Sequence, residues 1–326
     1  MKRWSLHAIV VLFMAFLIAG AARAADAVQL LVEDADLSVK EMDASLLLRE
    51  VLRQAVLIAA RDELNLPTRD AAVREPMNPA VKTLTLHFSA AKGAPISFSL
   101  SVTGQQQPLF ESKIDTPPTP YVHRNCLPIA QTAEAMSRKE FVKALQDAGF
   151  QKAAPTTENR PTTQPQAGDE DRASEFNLIS QLEVVRRAHR ELAHDANSVS
   201  ALQSLVRGYA NLGQVTEYYW NAAPEVFHAR SLIYSERLLA KHPGRLSLQY
   251  RAYARAMAGF HKAAIEDLDQ ADKEKANVAC DPAWVPLISA LCRYDTQRLS
   301  DLASENPKIA PLAMFLCFLT VERSGS

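Results

Sequence analysis

Few side chains in this sequence of 326 residues have the type and spacing that chemistry needs. His123 and Cys126 stand three apart in YVHRNC, beside a proline-rich stretch. An imidazole next to a thiol can activate it as a nucleophile, although such pairs are normally assembled from distant segments. With His87 they mark one candidate centre, an enzyme or small-ligand site in the first third of the chain. Glu191 and His194 have the Glu-x-x-His spacing that supplies half of a four-helix di-metal carboxylate site. That site also needs a second such pair and two further glutamates, so these two residues read as a solvated helix face. His189 and His194 are five apart and share no face. Ten glycines with no GxG leave no dinucleotide fingerprint or Walker loop, since both bring backbone against phosphate. There is no GxSxG elbow and no HExxH. The expectation is no catalytic residue set, no metal and no cofactor.

Recognition is better represented. Glu217, Tyr218, Tyr219, Trp220 and Asn221 are followed within ten residues by Phe227, His228 and Arg230. Tyr and Trp combine a large contact area with a polar tip, and with Arg they supply most interface anchors. Arg251 and Arg255, four apart where a helix face should be apolar, could line a groove and hold an acidic peptide. The competing reading is that the rings complete a core and the arginines reach to water.

These residues sit on helices. Leu202, Leu205, Val206, Tyr209 and Leu212 recur at three- and four-residue steps, the period of one buried helix face. Gly213 is expected to end that run as a positive-φ cap. Leu246, Tyr250, Tyr253, Met257 and Phe260 share a second face, and Gly259 breaks it. Ala264, Ile265, Leu268 and Ala271 return, with small residues that let paired helices approach closely. Two helical hairpins between Ser198 and Ala271 follow. Their pattern resembles the tetratricopeptide repeat: Leu202, Leu205, Tyr209, Gly213 and Pro243 in one unit, then Gly259, Phe260, Ala264, Leu268 and Ala271 in the next. Val206 departs from it, as do Arg251 and Arg255. The turn glycines Gly213 and Gly259 are further apart than the family period of about 34 residues, so TEYYWNAAPEVF reads as an insertion. The resemblance implies a helical-repeat surface that binds a protein or peptide.

Around this half the chain divides. Lys2 and Arg3, the apolar run Ala8–Ala19 and Ala22-Arg23-Ala24 read as a cleavable signal peptide over 1–24, too short to span a bilayer. The chain is therefore expected to be exported, periplasmic or secreted, with no stable membrane span after cleavage. Losing Lys2, Arg3 and Arg23 moves the formal charge from −1 to −4, which argues against a nucleic-acid partner. Residues 25–150 read as an α+β domain: a helix capped by Asp43, an antiparallel three-stranded sheet, and a helix opened by Ser137 and Glu140. The first helix buries Leu48, Val51, Leu52, Ala55 and Ile58, with Arg49, Glu50, Arg53 and Arg61 mostly on the other side. The strands run through Leu84–Phe88, Ile96–Val102 and Leu109–Ile114, with Lys92-Gly93 in a turn. Residues 151–173 hold no aromatic or large aliphatic side chain and read as a disordered linker. From 174 to 326 the chain reads as an all-α helical-hairpin array. Cys126, Cys280, Cys292 and Cys317 form no CxxC pair and read as buried apolar residues, with a Cys280–Cys292 bridge as the alternative. The last segment, IAPLAMFLCFLTVE, is apolar almost all round, so either the polypeptide continues or that surface meets another chain.

Overall fold

The computed structural model describes residues 28–35, 42–69, 82–89, 95–115, 125–153, 169–219, 221–274 and 281–324. Residues 1–24, expected as a signal peptide, Lys92 and Gly93, expected in a turn, His123, Trp220, Cys280 and residues 154–168 lie outside the described residues. The first part holds β1 (Val28–Ala35), α1 (Met42–Ile58) continued by a π-helical turn (Ala59–Glu63), β2 (Thr68–Arg69), β3 (Thr83–Ser89), β4 (Ile96–Val102), β5 (Phe110–Ile114), α2 (Cys126–Ser137) and α3 (Glu140–Asp147). Then come α4 (Asp169–Ser174), α5 (Leu178–His194), α6 (Val199–Val215), α7 (Ala223–Lys241), α8 (Arg245–Met257), α9 (His261–Lys273), α10 (Val285–Cys292), α11 (Thr296–Glu305) and α12 (Ala310–Ser324). The described chain is mostly helical, with one small sheet near its N-terminal end.

The sheet is five-stranded and mixed, in the order β2-β1-β3-β4-β5, not the three antiparallel strands expected. β3, β4 and β5 form the expected antiparallel meander. β1 joins it parallel to β3, and β2 lies parallel to β1. A parallel neighbour needs a crossover, and α1 provides it between β1 and β2. Val28, Leu30 and Val32 carried the signal for β1, interrupted by Leu31. Leu84, Leu86, Phe88, Phe98 and Leu100 form the covered face. Rings of Phe98, Phe110 and Phe141 meet at centroid distances of 5.6 to 6.2 Å and fix α3 on that face. The other face is a polar ladder, with Thr85 bonded to Thr103 and Gln29 donating to Thr83.

Three local expectations are corrected. The helix expected from Ser137 is preceded by a further helix, α2, which Ser137 closes: its Oγ donates to the Glu134 carbonyl at 2.7 Å. α4 occupies residues 169–174, so it begins inside the stretch 151–173 expected to be a linker, and Ala173 and Ser174 are buried. Gly213 is not a positive-φ cap but sits inside α6, which runs to Val215. Its missing side chain makes room for His228 instead, since a Cβ there would lie 2.4–2.7 Å from the imidazole ring. Gly259, at φ 85°, does end α8 as expected. Gly213→Ala would gain about 1 kcal/mol in helix propensity against an overpacking cost of about 1–3 kcal/mol. A net loss of up to about 2 kcal/mol is the expected result of denaturant melting, relieved when His228→Ala is added.

In the helical part each helix packs on the next, and α6, α8, α10 and α12 also stand side by side. Ser198 caps α6, accepting from the Ala201 amide. The two parts of the chain share one continuous hydrophobic core. α7 lies between them, packed on α6 and α8 and also on α1 and α2. This is why Glu50 and Arg53, placed by the sequence pattern on the water side of α1, are only 1% and 3% exposed.

Candidate functional site

The residues picked out in the sequence do not gather in one place. Arg251 and Arg255 on α8 face two carboxylates, not an open groove. Arg251 lies 2.6 Å from Asp267 on α9 and 3.3 Å from Glu236 on α7, and Arg255 lies 2.8 and 3.2 Å from the same pair. This square of two cations and two anions, largely removed from water, ties three helices together. Arg230 turns to the first part of the chain, donating to Gln54 Oε1 at 2.8 Å with its guanidinium 5.4 Å from the Tyr209 ring. His228 fills the notch at Gly213. Asn221 caps the start of α7, accepting from the Ala223 amide. Among the described residues picked out for recognition, Glu217, Tyr218 and Tyr219 alone stand exposed, at the α6–α7 turn.

That turn belongs to a larger edge. α6, α8 and α10 run the same way, so their C-terminal turns follow one another. Gln214, near the end of α6, donates to the Met257 carbonyl at the end of α8. His261, just beyond the α8 turn, lies 5.2 Å from the Tyr294 ring beyond α10. Tyr218, Tyr219 and Tyr294, respectively 58%, 46% and 49% exposed, therefore line one edge of the helical part. Tyr294 was missed in the sequence because it stands 75 residues from Tyr219 in an unremarked turn. The inner side of the row of helices is closed: Trp284 packs edge-on against Tyr250 and Tyr253, and Arg207 lies over Tyr253 and Trp284.

The ionisable groups concentrate at the junction of the two parts. The π-helical turn places Arg61, Asp62 and Glu63 against α7. Tyr234 donates to Asp62 at 2.7 Å and accepts from Arg61 at 2.6 Å. Arg237, 3% exposed, reaches Asp62 at 3.0 Å, Glu63 at 3.4 Å, Glu134 at 3.3 Å and Ser137 Oγ at 2.9 Å. Burial alone would raise the Asp62 carboxyl, but Arg61 and Arg237 outweigh it and hold it at about 2. His189 Nε2 lies 2.7 Å from the Tyr209 hydroxyl. Burial, aided by the Arg61 and Arg230 charges and opposed by Asp62, pushes His189 well below the ordinary histidine range. Every group here has a partner in the fold, so the cluster reads as a clasp between α1, α2 and α7.

The clasp carries a pH dependence. A histidine whose folded pKa is depressed stabilises the fold above its unfolded pKa of about 6.5, and that share is lost as pH falls toward the folded value. Asp62, depressed from 3.8 to about 2, adds a second loss only below about pH 4. Denaturant melts from pH 7.5 to 5 should thus show stability falling by up to about 1.4 kcal/mol per unit. His189→Gln should flatten that limb and leave the more acid one.

The other chemical candidates disperse. Cys126 lies in the core with its thiol pushed up to about 12 by burial, the opposite of an activated nucleophile. His87 is exposed on the polar face of the sheet, 3.4 Å from Ser101. Cys292 is buried and Cys317 half-buried, and both are free thiols, as is Cys126. Glu191 accepts from Ser198 and Ser200 at the α5–α6 turn. A second Glu-x-x-His, Glu225 and His228 on α7, is present in the chain, but among the described residues no three metal-ligating side chains assemble. No helix among the described residues is long and apolar enough to cross a membrane.

No protein-family model, no curated protein and no solved structure matches this chain.

Proposed function

We propose that the protein is an exported, non-enzymatic adaptor whose helical half, a divergent tetratricopeptide-like array, docks a protein or peptide partner. The observation that carries this is the tyrosine edge. Three exposed rings with polar tips, spread over two turns of the array with the α8–α9 turn between them, offer contact area at low entropic cost, as protein-binding surfaces do. Docking falls on this edge and not in an inner groove because Trp284, Tyr253 and Arg207 fill the inner side. The acidic peptide suggested by Arg251 and Arg255 loses its support, since Glu236 and Asp267 already neutralise both. The alternative, an exported enzyme or small-ligand receptor near His87, His123 and Cys126, has a buried neutral thiol and an imidazole on the polar sheet face to its name.

Proximity labelling in the cell envelope from a tag on the helical half tests this reading. Tyr219→Ala with Tyr294→Ala should remove most labelling of the partner, each anchor contributing about 1–2 kcal/mol, while the melt barely moves because both rings are exposed. An unchanged labelling profile would remove the edge as the docking site. Export is checked separately by sequencing the N-terminus of the mature chain, expected at Ala25.

A further inference from the structure

A second surface is apolar in a way that the tyrosine edge is not. On α12, Met314, Phe318 and Val321 are 67%, 56% and 57% exposed, and their i, i+4, i+7 spacing makes one stripe along the helix. Beside the stripe runs an open groove between α11 and α12, about 560 Å³ in volume. Its floor and α11 side are built from small residues, Ser300, Ala303, Ser304, Ala310 and Ala313, with Cys317 midway along. Small residues are what allow a second helix to approach closely, and large residues spaced one turn apart are what such a helix inserts.

We propose that this face docks a second copy of the chain, α12 against α12 across a two-fold axis. Three features favour that occupant. An isologous interface must be complementary to itself, and this patch contains both halves of the fit, a ridge at 314, 318 and 321 and a groove of small residues next to it. The lining holds no charged side chain, so two copies meet without like-charge repulsion. On α11, the helix that flanks the groove, Arg298 is already paired with Glu305 at 2.9 Å and Gln297 donates to Asp301, so these groups do little to select a charged partner. A helical face of this kind and spacing is available on α12 itself. The patch is small beside a standard interface of about 800 Å² per partner, so the dimer is weak, in the micromolar range or above. Antiparallel pairing about the middle of the stripe puts Cys317 of each copy close to the axis.

Sedimentation equilibrium of the mature chain over a hundredfold range of concentration reads this directly. The expected result is a mass rising from one chain toward two, with Phe318→Asp and, from the other side of the groove, Ala303→Arg both held at one chain. Each variant must melt as the parent does, which rules out unfolding as the cause. In a Cys280→Ser background a short bismaleimide should yield covalent dimers that Cys317→Ser or Phe318→Asp abolishes. A mass of one chain throughout, or dimers indifferent to Phe318→Asp and Ala303→Arg, overturns the proposal. So does binding of the parent chain to phosphatidylcholine vesicles that Phe318→Asp removes, since the stripe would then face lipid. Tyr219→Ala with Tyr294→Ala should leave the mass unchanged, so this inference and the docking edge stand or fall separately.

Discussion

Arg237→Ala is expected to lower the stability of the whole chain by about 3–5 kcal/mol, the loss seen when one partner is removed from a buried ion pair. Arg237 is 3% exposed and holds Asp62 and Glu134, which are 9% and 3% exposed. Without it, Asp62 keeps Arg61 and Tyr234, and Glu134 keeps Arg138, which is 40% exposed. Two buried carboxylates would each lose a cation that water cannot replace. The pair is not thereby a large net source of stability, since desolvating three charges offsets much of their attraction. Arg237→Met with Glu134→Leu should accordingly recover part of the loss, since Asp62 stays in place for Arg61 and Tyr234 and Arg138 can turn to water. Lys143→Ala, removing a surface pair with Asp147 in which the lysine is 79% exposed, should change stability by no more than about 0.5 kcal/mol. Guanidinium melts followed by both far-ultraviolet and tryptophan signals decide the matter. Because α7 is packed into both parts of the chain, the Arg237→Ala transition should stay single and shift as a unit. Two separate transitions, with one unmoved, would show that the clasp does not couple the parts.

That coupling was the feature least legible in the sequence. Residues 151–173 carry nothing that can fill a core, and the chain on either side is long enough for a core of its own. What the composition hides is a helix buried on every side. α7 reads as ordinary because its sequence mixes Glu225, Arg230, Glu236 and Arg237 among its apolar residues, a pattern that periodicity assigns to water. In the fold each of those arginines meets a partner more than a hundred residues away, Gln54 for Arg230 and Asp62 and Glu134 for Arg237. Charge complementarity at that separation leaves no local trace. The same blindness put Glu50 and Arg53 outside. By contrast, the caps and turns of the helical half depend on neighbours a few residues away, and Ser198, Gly259 and Pro243 stood where their local chemistry placed them. Gly213 shows the limit, since its reason lies in His228 on another helix and not in its own backbone.

The candidate docking residues divide along the same line. Tyr218 and Tyr219 could be found as a local cluster of amphipathic rings. Arg251 and Arg255 were visible as misfits on an apolar face, but whether a misfit is a site or a tie depends on what faces it. Glu236 and Asp267 do, and the two arginines become structural. Tyr294 joins the edge only because α6, α8 and α10 run in the same direction. Stripes on one helix can be read from spacing, as with Met314, Phe318 and Val321, whereas surfaces assembled from successive turns need the stacking first.

Trp284→Ala should be the other costly substitution, at about 3–5 kcal/mol, the range for removing a buried Phe or Trp side chain. Trp284 is 2% exposed and meets Tyr250 and Tyr253 edge-on, both at 5.1 Å between ring centroids. It also carries half of the environment of Arg207, whose guanidinium lies 5.5 Å from both the Trp284 and Tyr253 ring centroids. Arg207 is 2% exposed and donates to Ser174 Oγ at 3.2 Å. A cation buried among ring faces, with a hydroxyl where other arginines of this fold have carboxylates, relies on cation–π attraction, which is worth up to about 2 kcal/mol when desolvated. Removing Trp284 both opens a cavity and leaves that charge with Tyr253 and the Ser174 hydroxyl. The two contributions separate in a double-mutant cycle with Arg207→Met. A coupling of about 1–2 kcal/mol between the substitutions is expected, and it should survive high salt, because ions do not enter so closed a site. A coupling near zero would reduce Trp284 to a space-filling residue. Loss of the coupling in salt would mean that Arg207 is reached by water, and then the inner side of the helix row would be open to a ligand after all.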